Sequence, residues 1–245
     1  MRTPNGTTGV VVFALLCFGI STLHSTFFSA ASAQSTSDGP IGSARRPLDL
    51  PSGGNGSDDD EEDEPEAVTY YGAEIEGDGF FWCLDRSCSM GEGASFTTLK
   101  VETTRAIMQL SRNAEFAVVF YSSNLTVWPV NETPARATPG SKNAAVLWVN
   151  LTPYQGQTCM GAGVVKVCEI ANQSTKRRRQ VLMLGDGVPF CDGGPSSPSE
   201  VLDAVETANY QHIPFNTFYI SDDASGIQLF QDIAGQTGGT FTLVD

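Results

Sequence analysis

From residue 69 onward, short uninterrupted apolar runs alternate with longer segments whose apolar residues recur at helical spacing, and this alternation limits the possible folds more than any other feature. The apolar runs are Phe80 to Leu84, Phe116 to Tyr121, Leu125 to Trp128, Val181 to Leu184, Phe215 to Ile220 and Thr240 to Val244. Helical spacing marks Thr97 to Leu110, Ala144 to Leu151, Ala162 to Ile170, Ser199 to Tyr210 and Ile227 to Ile233, with Ser199 placed to open one helix and Gly235 to close another. Strands that are apolar on both faces and separated by helices must be covered on both sides, the condition of a parallel sheet. The expectation is a doubly wound α/β fold, a mostly parallel six-stranded sheet with helices on both faces. One pair departs from the rule: Ser122-Ser123-Asn124 is too short for a crossover helix, so the runs around it form a hairpin and give the sheet one antiparallel edge strand. In such sheets ligands bind beyond the carboxyl ends of the strands.

The first third of the chain has a different character. Residues 1 to 33 carry one cation, Arg2, then an apolar run from Val10 to Ile20, then small residues ending Ala31-Ser32-Ala33, the layout of a secretory signal peptide cleaved near Ala33. The apolar run falls short of the roughly 20 residues a spanning helix needs. Residues 34 to 68 are rich in Ser, Gly, Pro and Asp and include the acidic run Asp58 to Glu64; a segment of this composition buries too little apolar surface to fold and reads as a solvated linker. The folded domain is therefore expected over residues 69 to 245. Arg2 is the only formal charge in the leader, so its removal takes the net charge from −14 to −15. So acidic a chain is ill suited to binding nucleic acid. Its one basic cluster, Lys176 to Arg179, reads as the solvated C-terminal end of a helix.

The first strand runs into Asp85-Arg86-Ser87-Cys88-Ser89, an acid and two hydroxyls in alternating positions. In extended backbone alternate side chains share a side, so Asp85, Ser87 and Ser89 can converge. Oxygen-only convergence suits a hard cation such as Mg²⁺. Asp85-x-Ser87-x-Ser89 resembles the first motif of the metal-ion-dependent adhesion site of von Willebrand factor A domains. Gly156-Gln157-Thr158-Cys159-Met160-Gly161 is similar to the second motif, a threonine in a loop ahead of a helix, and Leu182-Met183-Leu184-Gly185-Asp186-Gly187 to the third, an aspartate after a buried strand. The resemblance covers about residues 78 to 245 and implies a Rossmann-like von Willebrand factor A fold. It further implies that Ser87, Ser89 and Thr158 ligate a cation directly or nearly so, that Asp85 and Asp186 act through waters or hydrogen bonds, and that one coordination position stays open for an outside carboxylate. Mg²⁺ is the expected ion, with Mn²⁺ or Ca²⁺ as alternatives. Two positions depart from the family pattern: Cys88 stands where Gly is common, and Gly185 where Thr is common. Cys88 is compatible if its φ is negative, and Gly185 supplies no ligand.

Each of these residues also has an ordinary structural use. Ser87, Ser89 and Thr158 can cap helices and Asp186 can stabilise a turn, and only their joint placement points to a site.

Five cysteines follow the leader, Cys83, Cys88, Cys159, Cys168 and Cys191. Cys83 and Cys168 fall on a strand and a helix, where thiols behave as small hydrophobes. The other three lie in the loops that the site brings together, and two of them are expected to form a disulfide, Cys159 with Cys191 foremost because both lie just outside the ligand positions. A zinc site lacks ligands: there is no C-x-x-C pair, and His212 is the only histidine after the leader.

His212 is also the only base for a Ser-His-Asp arrangement, and it stands beside Ile213-Pro214 at a helix end. No nucleophile elbow or phosphate-binding glycine loop occurs. A haloacid-dehalogenase-type phosphatase would want a second aspartate where Ser87 stands. The expectation is an exported binding and adhesion module, not an enzyme, that captures a protein partner's Asp or Glu carboxylate through a bound cation. A metal-assisted hydrolase and a metal-independent scaffold domain are the alternatives. Asn124-Leu125-Thr126, Asn131-Glu132-Thr133 and Asn150-Leu151-Thr152 would accept glycans in a eukaryotic secretory route.

Overall fold

The computed structural model describes residues 65–244. The leader and all but the last residues of the acidic linker lie outside them. In chain order the strands are β1 (Glu66–Tyr70), β2 (Ala73–Gly77), β3 (Gly79–Asp85), β4 (Glu115–Tyr121), β5 (Thr126–Trp128), β6 (Ala135–Arg136), β7 (Arg179–Gly185), β8 (Phe215–Tyr219) and β9 (Phe241–Leu243). The helices are α1 (Ser95–Gln109), α2 (Pro139–Leu151), α3 (Met160–Ala171), α4 (Pro198–Ala208) and α5 (Ala224–Thr237).

Alternation along the strands sorts their side chains into two cores. Phe80, Trp82 and Leu84 of β3 join Phe116, Val118 and Phe120 of β4 in one core, which α1 and α2 close with Leu99, Ile107 and Val149. Phe81 and Cys83 join Val119, Tyr121, Val181 and Met183 in the other, closed by Val164 and Val167 of α3, Val201 and Val205 of α4, and Leu229, Phe230 and Ile233 of α5. Such double burial explains why β3 has no exposed position. The sheet order is β5-β4-β3-β7-β8-β9. β3 pairs in parallel with β4 and β7, as do β7 with β8 and β8 with β9, whereas β5 runs antiparallel along β4 through Val118↔Trp128. The expected hairpin, the parallel centre and the helices on both faces are all present.

The sheet gains one strand beyond the six expected: β6 adds antiparallel to β4 through Phe116↔Ala135, below β5 on the same edge. A separate hairpin, β1 with β2, was not expected either. It turns through Tyr71 and Gly72, both at positive φ, the geometry that matches strand twist. One face of this hairpin is buried: Val68, Tyr70 and Ile75 enter the first core, and Tyr70 meets Phe218 of β8 edge to face at 4.9 Å. The hairpin thus helps to cover a face to which α1 and α2 also contribute buried residues, and β1 takes in residues 66 to 68 at the edge of the segment read as linker.

Two helix caps differ from expectation. Ser197, not Ser199, opens α4: its hydroxyl accepts the Glu200 N–H while Glu200 reaches back to the Ser197 N–H, a reciprocal capping box with Pro198 in the first turn. Gly238, not Gly235, closes α5, because it holds the left-handed conformation at φ 76°. Lys176 to Arg179 also differ. α3 ends at Ala171, and the cluster lies in the following loop and the start of β7, where Arg178 pairs with Asp78 at 2.9 and 3.0 Å. Arg179 touches the helix terminus, donating to the Ala171 carbonyl.

Candidate metal centre

Parallel β3 and β7 bring Asp85 and Asp186 to the same end of the sheet, one at the end of each strand. Asp85 is fully buried and accepts the Ser87 N–H on Oδ1 at 2.7 Å. Ser87 and Ser89 share a hydroxyl hydrogen bond of 3.0 Å, and Ser89 Oγ donates to Asp186 Oδ1 at 2.8 Å. Ser87, Ser89 and Asp186 therefore form one hydrogen-bonded chain of oxygens across two loops, and Asp85 joins it through the Ser87 backbone N–H.

Thr158 occupies a third loop, which backbone bonds attach to the first: the Cys88 N–H donates to the Gly156 carbonyl at 3.0 Å and the Gln155 N–H to the Arg86 carbonyl at 2.6 Å. Thr158 is buried, and among the described residues no hydrogen bond joins its hydroxyl to the other four. Its own N–H and carbonyl both bond to Phe190, at 3.0 Å each, and Cys159 and Cys191 beside them form the expected disulfide. The Gln157 amide adds two bonds to Asp192, at 2.9 and 3.1 Å.

Burial and the neighbouring Asp186 push the Asp85 carboxyl up to about 7, against the pull of the Ser87 bonds and the Tyr121 hydroxyl. Tyr121 offers only partial relief, since its hydroxyl donates to the Leu184 carbonyl at 3.3 Å, and Asp85 Oδ2 is buried with no hydrogen-bond partner. Asp186 is raised as well, chiefly by burial, with the Ser89 bond opposing and Glu92 adding to the rise. Two carboxylates that disfavour each other's charge, one with an orphaned oxygen, and adjacent hydroxyls are the donor chemistry of a hard cation site. Among the described residues no group of three or more His, Cys, Asp or Glu is placed to hold a metal ion, so a cation here would depend on two carboxylates and the hydroxyls beside them.

Both departures from the family pattern have a local explanation. Cys88 has φ −62°, so a side chain is accommodated where glycine is common. A β-carbon at Gly185 would lie 2.7 Å from the Tyr121 hydroxyl, 3.1 Å from Phe230 and 3.3 Å from Asp85 Oδ2, so the aromatic rings occupy the space a threonine would need.

Arg86 is one residue whose role the sequence did not reveal. Only 2% exposed, it sends Nη1 to the Pro153 carbonyl at 3.3 Å and Nη2 to the Asn124 carbonyl at 3.2 Å. The Gln155 oxygen, with its amide turned to satisfy both ends, accepts from the same nitrogens at 3.0 and 3.2 Å. One guanidinium thus ties the Asp85 loop to the hairpin turn and to the Thr158 loop. The available signal was its place between two convergent oxygens, which turns it to the opposite side of the strand. His212, by contrast, precedes β8 at the other end of the sheet, in a turn at φ 52°.

No protein-family model and no curated protein matches the sequence. Solved structures do. A von Willebrand factor type A structure from Catenulispora acidiphila superposes with a TM-score of 0.62 at 22% identity over 70% of this chain and 40% of that one, so this chain spans well under half of it. The von Willebrand factor domain of the type V pili tip protein Mfa5 from Porphyromonas gingivalis matches at 0.55 and 10% identity, over 73% of this chain and 90% of its own. Manganese-loaded TRAP protein from Plasmodium vivax matches at 0.51 and 19% identity, over 68% of each. On the sheet order, the two cores and these superpositions, the folded part of this chain has the von Willebrand factor type A fold.

Proposed function

We propose that this chain is an exported binding module that holds a divalent cation at Asp85, Ser87, Ser89, Thr158 and Asp186 and uses it to capture an Asp or Glu carboxylate of a protein partner. The observation that carries the reading is the hydrogen-bonded oxygen chain from Ser87 through Ser89 to Asp186, beside a buried Asp85 with one orphaned oxygen. Ser87, Ser89 and Thr158 would supply neutral ligands, while Asp85 and Asp186 orient the hydroxyls and balance the ion's charge. A bound cation supplies a positive centre with an exchangeable position. With three hydroxyls and two outer carboxylates, the protein leaves that centre charge to spare for an incoming acid. The manganese-loaded TRAP structure supports a divalent ion, with Mg²⁺ first and Mn²⁺ or Ca²⁺ as substitutes. The pilus-tip neighbour supports a role outside the cell, as does the disulfide, which persists in oxidising compartments. Among the described residues no helix is long and apolar enough to cross a membrane.

Loss of the free Mn²⁺ resonance signal on adding the chain tests the assignment. One ion is expected to be taken up per chain, and uptake is expected to vanish in the Asp85→Ala, Asp186→Ala double variant; an undiminished signal from the parent chain would overturn it.

A further inference from the structure

Phe190 is 63% exposed, while Thr158, to which its backbone bonds, is buried. Its backbone is nevertheless fixed on every side. Both its N–H and its carbonyl bond to Thr158, its neighbour Cys191 is covalently joined to Cys159, and Asp192 is bonded twice to Gln157. Val188, two residues earlier in the same loop, is 39% exposed, and Tyr154, at 46%, stands over Gly91 and against Phe96 beside the first loop. Three large apolar side chains are thus presented by the loops that carry the oxygen cluster. A preordered aromatic loses little freedom when a partner covers it, which is the property of a binding hot spot.

The charges around these side chains identify what covers them. Among the described residues the loops beyond the strand ends carry Glu92, Asp192, Asp222 and Asp223 besides Asp186 of the oxygen cluster, and their one cation, Arg86, is buried and engaged with carbonyls. An acidic surface of this kind repels a purely anionic partner and complements a basic one.

We infer that the partner is a protein segment in which the captured acidic residue is flanked by an apolar side chain, seated on Phe190 and Val188, and by a basic one, facing the acidic rim. The inference rests on the carboxylate-capture reading and adds the residues that set specificity. Phe190 acts on partner choice and not on the ion, since its side chain supplies no oxygen.

A phage-displayed library with one fixed Asp and randomised neighbours, selected on the full chain in Mg²⁺, tests it. Apolar residues together with Lys or Arg are expected at the positions flanking the Asp. A synthetic peptide of the winning sequence is expected to bind Phe190→Ser and Val188→Ser about tenfold more weakly than the parent, while Mn²⁺ uptake by both variants is unchanged. Flanks without apolar enrichment, no selected peptide at all, or full affinity for Phe190→Ser would overturn the inference. Selection of the same flanks around a fixed Asn in chelator separates the two ideas: it would retain the apolar surface and sink carboxylate capture.

Discussion

Ser89 Oγ donates to Asp186 Oδ1 at 2.8 Å, joining loops 97 residues apart in sequence, and the same serine is bonded to Ser87 at 3.0 Å. The bond holds the hydroxyl proton on the carboxylate and leaves the serine oxygen's lone pairs to face a cation, the orientation that the proposed site requires. The following expectations derive from that arrangement.

Replacing Asp186 removes a charge that opposes ionisation of Asp85. In chelator, Asp186→Asn is expected to unfold at the same temperature as the parent or slightly above it. Mg²⁺ at about 100 times its dissociation constant should stabilise the parent by roughly 2.7 kcal/mol and leave the variant unmoved. Thermal unfolding with and without the ion reads both effects.

The metal-free domain should lose stability as pH rises. Asp85 titrates near 3.8 when unfolded and about 7 when folded, so the native state holds the extra proton, and the contribution present below about pH 4 is lost by about pH 7. A shift of this size in a fully buried group is worth on the order of 4 kcal/mol. Urea unfolding in chelator should show the advantage of Asp85→Asn over the parent widening across that window; a constant difference would contradict the assignment.

Gly185→Ala places a methyl group against the Tyr121 hydroxyl and the Phe230 ring. Overpacking of this kind costs about 1–3 kcal/mol. Tyr121→Phe removes the nearest atom, so a double-mutant cycle by urea unfolding is expected to recover part of the loss.

Arg86→Leu leaves the Pro153 and Asn124 carbonyls without the guanidinium. A loss of about 1–3 kcal/mol is expected by urea unfolding. Because the same group ties the Thr158 loop to the Asp85 loop, Mn²⁺ uptake should weaken as well, and Arg86→Lys should restore only part of either property, lacking the planar fork.

Thiol reactivity should rank Cys88 first. Burial raises the Cys83 thiol well above the usual range and Cys168 to about 12, whereas Cys88 is half-exposed in the first loop. Iodoacetamide labelling of the native chain followed by mass spectrometry is expected to find Cys88 modified, Cys83 and Cys168 protected, and Cys159 with Cys191 joined.

The sheet was legible because its strands are buried on both faces, and an unbroken run such as Phe80 to Leu84 has few other places to go. The hairpin β1–β2 was not, since Glu66 to Tyr70 and Ala73 to Gly77 bury alternate residues only and follow in sequence an acidic tract that masks their period. Asp85, Ser87, Ser89 and Asp186 were legible as a pattern of oxygens at strand ends. Arg86, Tyr121 and Phe190 were hidden, because their roles depend on loops from distant parts of the chain: Arg86 on Asn124 and Pro153, Tyr121 on Gly185, and Phe190 on Thr158. Ser197 and Gly238 show the smaller limit, that caps are fixed by backbone conformation and not by residue type.

Calorimetric titration of Mg²⁺ into the full chain and into its Asp85→Ala, Asp186→Ala double variant tests the central claim most directly. Saturable binding of one ion by the parent and none by the variant is the predicted result. An unmodified chain that binds no Mg²⁺, Mn²⁺ or Ca²⁺ would leave the fold in place and contradict the cation mechanism.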